Sequence, residues 1–370
     1  MTLDAAAPAR TRGTVRVVGT GLLGTSAALA LTLRGVDVIL VDPSPTAVAL
    51  ARDLGAGRFP AAGDDPALVL VAAPPDVVAE VVAAELAAFP RAVVTDVASV
   101  KGGPLASLSA AGADLRRYVG SHPMAGRERS GAVSARTDLF AGRPWVIAAT
   151  GVTDPVAVRA VHDLAMDCGG VPVTMAAAEH DAAVAVVSHA PQVAASLVAA
   201  RLRDASETAV GLAGQGLRDV TRIAGSDPTL WAQILAGNAA PVADVLEDLR
   251  RDLDDVVGAL RALALDPTAP GARGRLARVI ADGGAGRDRI PGKHGSAPTA
   301  YTTVVVVVPD RPGALGRLLT EVGEAGVNLE DLRLEHSEGQ AVALASIDVL
   351  PASADPLTEA LRARGWTVPR

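Results

Sequence analysis

Thr14-Val15-Arg16-Val17-Val18-Gly19-Thr20-Gly21-Leu22-Leu23-Gly24 is the stretch that decides the fold. The β-branched run Thr14 to Val18 reads as a short buried strand, and it leads directly into a G-x-G-x-x-G motif and a helical pattern through Arg34. A second strand, Val36 to Val41, ends in Asp42. Strand, glycine motif, helix, strand and acid, in that order, make the full context of a dinucleotide-binding unit. Gly19 allows the tight turn, Gly21 lets the backbone approach a pyrophosphate, and Gly24 permits close helix packing. The phosphates then rest on the helix N-terminus, at Leu22 and Leu23. A carboxylate at Asp42 accepts from a ribose 2′-hydroxyl and repels a 2′-phosphate, which favours NAD over NADP. The same residue also reads as an ordinary strand-end acid.

Working outward, the alternation continues. Leu68 to Ala72 reads as a strand, Asp76 to Ala88 as a helix, and Ala92 to Thr95 as a strand that ends in Asp96-Val97-Ala98-Ser99-Val100-Lys101. Open α/β sheets bind ligands at that edge, so Ser99 is placed either near a nicotinamide or as a cap for the helix that follows. Leu115 to Val119 is strand-like and precedes Gly120-Ser121-His122-Pro123-Met124-Ala125-Gly126, where His122 reads as lying on a proline-containing turn. An approachable histidine there suits general acid–base work or is simply a satisfied turn residue. Strands at Trp145 to Ala149 and Val171 to Thr174, with a helix from Pro155 to Cys168 between them, complete a domain expected to span residues 1–175.

Residues 176–281 read as helical. One long helix is expected from Ala176 to about Arg203, kinked at Pro191 so that Ser188 and His189 face a cleft. His189 reads equally as a satisfied core histidine. His180 and His189 point to opposite faces and do not read as a shared metal site. Arg218 and Arg222, at i and i+4, share a helix face suited either to a carboxylate or to solvent. Apolar residues from Val242 to Leu263 recur at a near-3.5 spacing, the mark of a helix seam between subunits. Residues 282–299 are Gly-rich and basic (Arg287, Arg289, Lys293, His294) and read as a linker, or as cations reaching an anionic ligand. Residues 300–370 follow a βαββαβ order, a ferredoxin-like layout. Asp310 is its possible helix cap, and the Asp310–Gly313 loop beside Asn328 is suited to holding a small amino acid.

Composition narrows the function. With 370 residues, two or three domains are expected, and the 49% hydrophobic content supports packed cores. A net charge of -7 and only 2% aromatic residues leave neither a basic footprint nor stacking platforms for nucleic acid. Cys168 is the single cysteine, which excludes an intrachain disulfide and a thiolate metal cluster and fits a reducing cytoplasm. No secretory signal is read in MTLDAAAPARTRG, and polar residues are read as interrupting every apolar stretch before membrane-spanning length.

The stretches GTGLLG, DVASVK, SHPMAGRERSG, EHDAAVAVVSHAPQ and RDVTRIAGSDPTLW, in order, resemble the prephenate/arogenate dehydrogenase family of tyrosine biosynthesis. VVVVVPDRPGALGRLLTEVGEAGVNLEDL resembles an ACT domain, a module known for binding regulatory amino acids. The resemblance implies an α/β Rossmann-type domain, an all-α domain that forms a homodimer, and a regulatory module. It implies His122 as the catalytic histidine, Ser99 as the residue orienting it and the nicotinamide, Arg222 as the partner of the ring carboxylate, and His189 as a second active-site histidine. Gln192 stands where some members have another histidine. The regulatory amino-acid site is implied at Asp310, Gly313, Ala314, Leu315 and Asn328, with tyrosine as the implied effector and another amino acid, or a role in assembly alone, as the alternatives. Two other readings are a hydroxyacid dehydrogenase sharing only the Rossmann half, which leaves the later motifs unexplained, and a non-catalytic NAD and amino-acid sensor.

Overall fold

Val15–Val18 (β1) pairs in parallel with Val38–Val41 (β2) on one side and Leu68–Val71 (β3) on the other. Their aliphatic side chains are almost all buried, as expected for a strand covered on both faces. Val93–Asp96 (β4) and Tyr118–Pro123 (β5) extend the parallel sheet. Pro144–Ala148 (β6) then joins β5 antiparallel, and Val171–Thr174 (β7) runs parallel to β6, giving the order β2-β1-β3-β4-β5-β6-β7. The computed structural model describes residues 8–126, 131–291, 301–336 and 341–369. Because the chain leaves β1 toward β2 and returns on the far side at β3, the carboxyl ends of β1 and β3 flank the sheet's topological switch point.

Helices Leu22–Leu33 (α1), Pro45–Asp53 (α2), Val78–Ala88 (α3), Gly102–Ala110 (α4) and Pro155–Asp167 (α5) accompany this sheet. Two buried clusters show the layering: one joins β1 and β2 to α1 and α5, the other joins β3 and β4 to α3. Each fully buried Leu or Val contributes about 1.5–3 kcal/mol, so the sheet with its helices carries the core of this half of the chain.

Three sequence expectations are corrected here. His122 does not lie on a turn: it is the fifth residue of β5 and pairs with Val146 of β6. The strand survives Pro123 because that residue is the last of its ladder, opposite Trp145. The long helix from Ala176 is not kinked α-helix throughout. It comprises Ala177–Val184 (α6), a π segment at Ala185–His189 and Ala190–Ala200 (α7). Pro191 lacks an N–H and crowds the carbonyl four residues back, and the wider π turn directly before it accommodates both defects. The run 177–204 is, contrary to expectation, long and apolar enough by length and composition to cross a membrane. It nevertheless carries His180, Asp181, His189 and Gln192 buried against protein neighbours.

Further helices are Glu207–Val210 (α8), Gln215–Thr221 (α9), Pro228–Gly237 (α10), Ala239–Leu265 (α11) and Ala272–Arg287 (α12). Arg218 lies on α9, whereas Arg222 begins a 3-10 turn, Arg222–Gly225, so the two are not successive turns of one α-helix. Along α11, Leu249, Leu253 and Leu260 are half-exposed in the single chain. The Gly-rich stretch read as a linker is helical as far as Arg287, while Lys293 and His294 lie outside the described residues.

The chain divides into two compact units, 1–249 and 250–370. In the second, Thr302–Pro309 (β8), Asp331–His336 (β9) and Val342–Val349 (β10) form an antiparallel sheet in the order β8-β10-β9. Ala314–Glu324 (α13) and Pro351–Ala363 (α14) pack onto it around Leu318, Val322, Leu357 and Leu361. The expected closing strand is reduced to one bridge, Val307 to Thr367. Asp310 is not the cap of α13; Gly313 holds that position with φ +85°, a conformation that favours glycine.

Candidate active site

The glycine motif forms the expected cradle. Gly19 has φ +100°, and a Cβ there would lie 2.4 Å from the carbonyl oxygen of Ala72. A Cβ on Gly24 would meet the Gly19 carbonyl oxygen at 1.9 Å, whereas around Gly21 there is open space. The backbone is thus pinned where it must turn and pack, and exposed where a pyrophosphate approaches the start of α1. Asp42 is held at the end of β2: its Oδ2 accepts from the Thr20 amide (2.7 Å) and hydroxyl (3.2 Å), and its Oδ1 from the Ser44 amide (2.8 Å). The residues present fit a dinucleotide.

The second cluster forms around β4 and β5. Their ladder ends at the Asp96–Gly120 pair, so Ser121, His122 and Pro123 run on with only β6 beside them. Ser121 fixes this extension. Its hydroxyl donates to the Asp96 carbonyl (2.7 Å) and accepts from the Thr95 hydroxyl and the Trp145 indole (both 3.1 Å). The next residue, His122, is partly buried at the carboxyl edge of the sheet. Burial, and then the neighbouring His180, Lys101 and His189, hold its imidazole well below the ordinary histidine range, which leaves it neutral near pH 7.

Beneath it is a buried ionic knot. Asp96 and Lys101 form a salt bridge with the side chains 0% and 1% exposed. Asp96 also accepts from the Ala98 amide (2.9 Å) and the Tyr118 hydroxyl (2.7 Å). Burial pushes the Lys101 ammonium down, although Asp96 opposes this; burial and Asp96 together push the Tyr118 phenol well up.

His180 is the partner of His122 that sequence spacing missed. Its Nε2 lies 2.9 Å from His122 Nδ1, and its Nδ1 lies 2.8 Å from Asp181 Oδ1. Asp181 in turn accepts from the amides of Lys101 (2.9 Å) and Gly102 (2.7 Å), capping α4 from a distant part of the chain. Burial pushes this carboxyl up, but the hydrogen bonds from His180, Lys101 and Gly102 outweigh it and hold it below its ordinary value. Comparing His180 only with His189 hid this contact. The available signal was an Asp directly after a His at the start of an apolar helix, which needs partners when buried.

The remaining candidates are dispersed. Ser99 is partly buried between Asp96 and Lys101 and makes no hydrogen bond to His122, whose Nδ1 is occupied by His180. His189 is 1% exposed, sits 3.1 Å from the Asn238 amide nitrogen through its Nδ1, and meets the Trp231 ring edge-on at 6.0 Å. Burial, opposed by Asp181, also lowers its pKa. Gln192 is buried and donates to the Ile223 carbonyl (2.9 Å), tying α7 to the turn that carries Arg222. Arg218 and Arg222 are both exposed. In the second unit, Gly313 and Ala314 start α13, Leu315 packs on the core, and Asn328 donates to Glu330 (3.1 Å). Residues 127–130 of the SHPMAGRERSG stretch lie outside the described residues, and among the described residues no three His, Cys, Asp or Glu side chains group as metal ligands.

Comparison with known proteins agrees with this geometry. Residues 27–174 match the family model described as prephenate dehydrogenase, nucleotide-binding domain; residues 176–268 match its dimerization domain; residues 302–364 match the ACT domain. A protein of Streptomyces niveus named probable prephenate dehydrogenase NovF is 39% identical over 356 residues, covering 95% of this chain and 98% of that one. The Bacillus subtilis prephenate dehydrogenase is 32% identical over 260 residues, 66% of this chain and 69% of that one. Among solved structures, an A. aeolicus prephenate dehydrogenase in complex with hydroxyphenyl propionate and NAD+ superposes with a TM-score of 0.64 at 27% identity, covering 74% of this chain and 98% of that one. A Synechocystis arogenate dehydrogenase gives 0.60 at 26%, covering 75% and 99%.

Proposed function

This chain belongs to the prephenate dehydrogenase family, and from that premise we propose prephenate as its preferred substrate and His122 as its catalytic base. The enzyme is an NAD-dependent dehydrogenase that oxidatively decarboxylates prephenate, or its amino analogue arogenate, on the route to tyrosine. Both curated relatives quoted above carry the prephenate name, which supports prephenate over arogenate.

Bound NAD+ supplies the hydride acceptor. As the C–H bond of the ring carbinol breaks, His122 takes the hydroxyl proton and the carbon–oxygen double bond forms. The ring C–CO2 bond then breaks, its electron pair completes the aromatic ring, and the former carbonyl oxygen takes a proton back from His122. The proton account closes on one imidazole, which starts and ends neutral. The depressed pKa of His122 supports this role, because the residue must be neutral to begin. In the same reading Arg222 binds the ring carboxylate, His189 and Gln192 shape the substrate pocket with Arg218 nearby, and Ser99 lies against the nicotinamide. Gly19, Gly21, Leu22, Leu23, Gly24 and Asp42 hold the dinucleotide. The half-exposed apolar residues of α11 and the match to a dimerization domain support a homodimer. The ACT domain supports amino-acid regulation, with tyrosine as the proposed effector acting at the Asp310–Leu315 and Asn328 segments. Fully buried Cys168, its thiol pushed up by burial, suits a reducing cytoplasm.

The test is NADH formation with prephenate and with arogenate over a range of concentrations. A higher kcat/KM for prephenate is expected; a higher value for arogenate overturns the substrate choice.

A further inference from the structure

The activity just described asks one imidazole to hold a proton, and a positive charge, for the interval between hydride loss and aromatisation. The hydrogen-bond chain behind His122 determines how it can do so. Asp181 is ionised, with its carboxylate accepting from the amides of Lys101 and Gly102 and facing His180 Nδ1 at 2.8 Å. A carboxylate can only accept, so Nδ1 of His180 carries a proton, and the neutral tautomer with that proton presents a lone pair on Nε2. His122 Nδ1, 2.9 Å away, must then be the donor to that lone pair. This leaves the other nitrogen of His122, Nε2, as the basic one.

We propose that His180, held by Asp181, is a positioning residue for the dehydrogenation: it fixes the reactive tautomer of His122 and spreads the positive charge that His122 acquires while it holds the substrate proton. No proton leaves the site through this chain. His122 Nε2 gains the hydroxyl proton and later returns it to the phenolic oxygen, while the Nδ1–H bond strengthens toward His180 and the Asp181 charge balances the pair. His180 is 0% exposed, so bulk solvent does not screen the pair. A wrong tautomer behind a catalytic histidine can cost about 10⁴-fold in kcat in a serine protease.

This proposal rests on His122 being the base, so the experiment carries both residues. Full-length His180→Ala, His180→Gln and His122→Asn are compared with the parent for kcat, substrate KM and NAD+ dissociation constant, with and without millimolar imidazole. His180→Ala is expected to lose about 100-fold in kcat, with KM and NAD+ binding within about threefold. Glutamine can accept from His122 and donate to Asp181, so His180→Gln should recover at least about tenfold over alanine. Imidazole should restore part of the His180→Ala rate and none of the His122→Asn rate. The proposal is overturned if His180→Ala keeps a kcat within about threefold of the parent, or if its loss is relieved by neither glutamine nor imidazole, as simple structural damage would be. If His122→Asn turns over like the parent, the base assignment itself falls. If His122→Asn is inactive while His180→Ala is not, only the His180 assignment falls.

Discussion

Replacing Lys101 by methionine tests the ionic knot under the candidate active site. The ammonium is 1% exposed and its partner Asp96 is 0% exposed, so solvent screens neither. In Lys101→Met the hydrophobic volume is largely kept, and what changes is the charge left on Asp96. That carboxylate keeps hydrogen bonds from the Ala98 amide and the Tyr118 hydroxyl but loses its counter-ion. Breaking a buried pair from one side costs about 3–5 kcal/mol. For a domain of this size, about 2–4 °C of melting temperature accompanies each kcal/mol, so the transition of the dinucleotide-binding domain should fall by roughly 6–20 °C in calorimetry. The double variant Lys101→Met/Asp96→Asn removes the stranded charge while its amide oxygen still accepts from the Ala98 amide, so it should regain more than half of that loss. A single variant that melts within about 2 °C of the parent, or a double variant no more stable than the single, would refute the reasoning.

Gly24→Ala should weaken NAD+ binding at least tenfold in titration calorimetry and lower stability by about 1–3 kcal/mol, since its Cβ must displace the Gly19 carbonyl at 1.9 Å; unchanged affinity would count against the cradle. His122 and His189 both have folded pKa values below the ordinary 6.5. Their neutral forms therefore favour the fold, full stability is present above pH 6.5, and it declines as pH drops below that value. The acid limb of kcat/KM should also fall below pH 6.5, and a limb at or above it would show that His122 is not the group titrating. Gln192→Leu removes the tie to Ile223 and should raise substrate KM about tenfold with NAD+ binding unchanged, the loss of one buried hydrogen bond being worth about 1–1.5 kcal/mol; equal KM values would detach Gln192 from the Arg222 turn.

The dinucleotide unit was legible because its signal is local. Gly19 and Gly24 are each demanded by a contact within a few residues or by the adjacent strand, Gly21 borders the open space before α1, and β1, β2 and Asp42 follow directly. The ferredoxin-like order was legible for the same reason, except where the closing strand shrinks to Thr367. The position of His122 was misread because Pro123 normally ends regular structure, and only the neighbouring β6 reveals that its missing N–H falls at the end of a ladder. His180 was invisible as a partner because its contact is with a residue on another element, and helical periodicity reports directions along one helix only. The π segment was hidden too, since propensity distinguishes helix from strand but not the hydrogen-bond step within a helix. Helix α12 runs through Gly283, Gly284 and Gly286, where intrinsic propensity argued for a linker.

Capping of α4 by Asp181 has a mechanical consequence. A hinge between β7 and α6 would have to break both amide bonds to Asp181 and the contact between His122 and His180. At about 1.5–3 kcal/mol for each bond to the charged carboxylate and about 1 for the imidazole pair, that is roughly 4–7 kcal/mol. With each 1.4 kcal/mol worth a factor of ten, the opened form would be populated roughly once in 10³ to 10⁵ molecules. Sheet and helix are therefore locked together here, and whatever moves to admit a substrate pivots somewhere other than Met175.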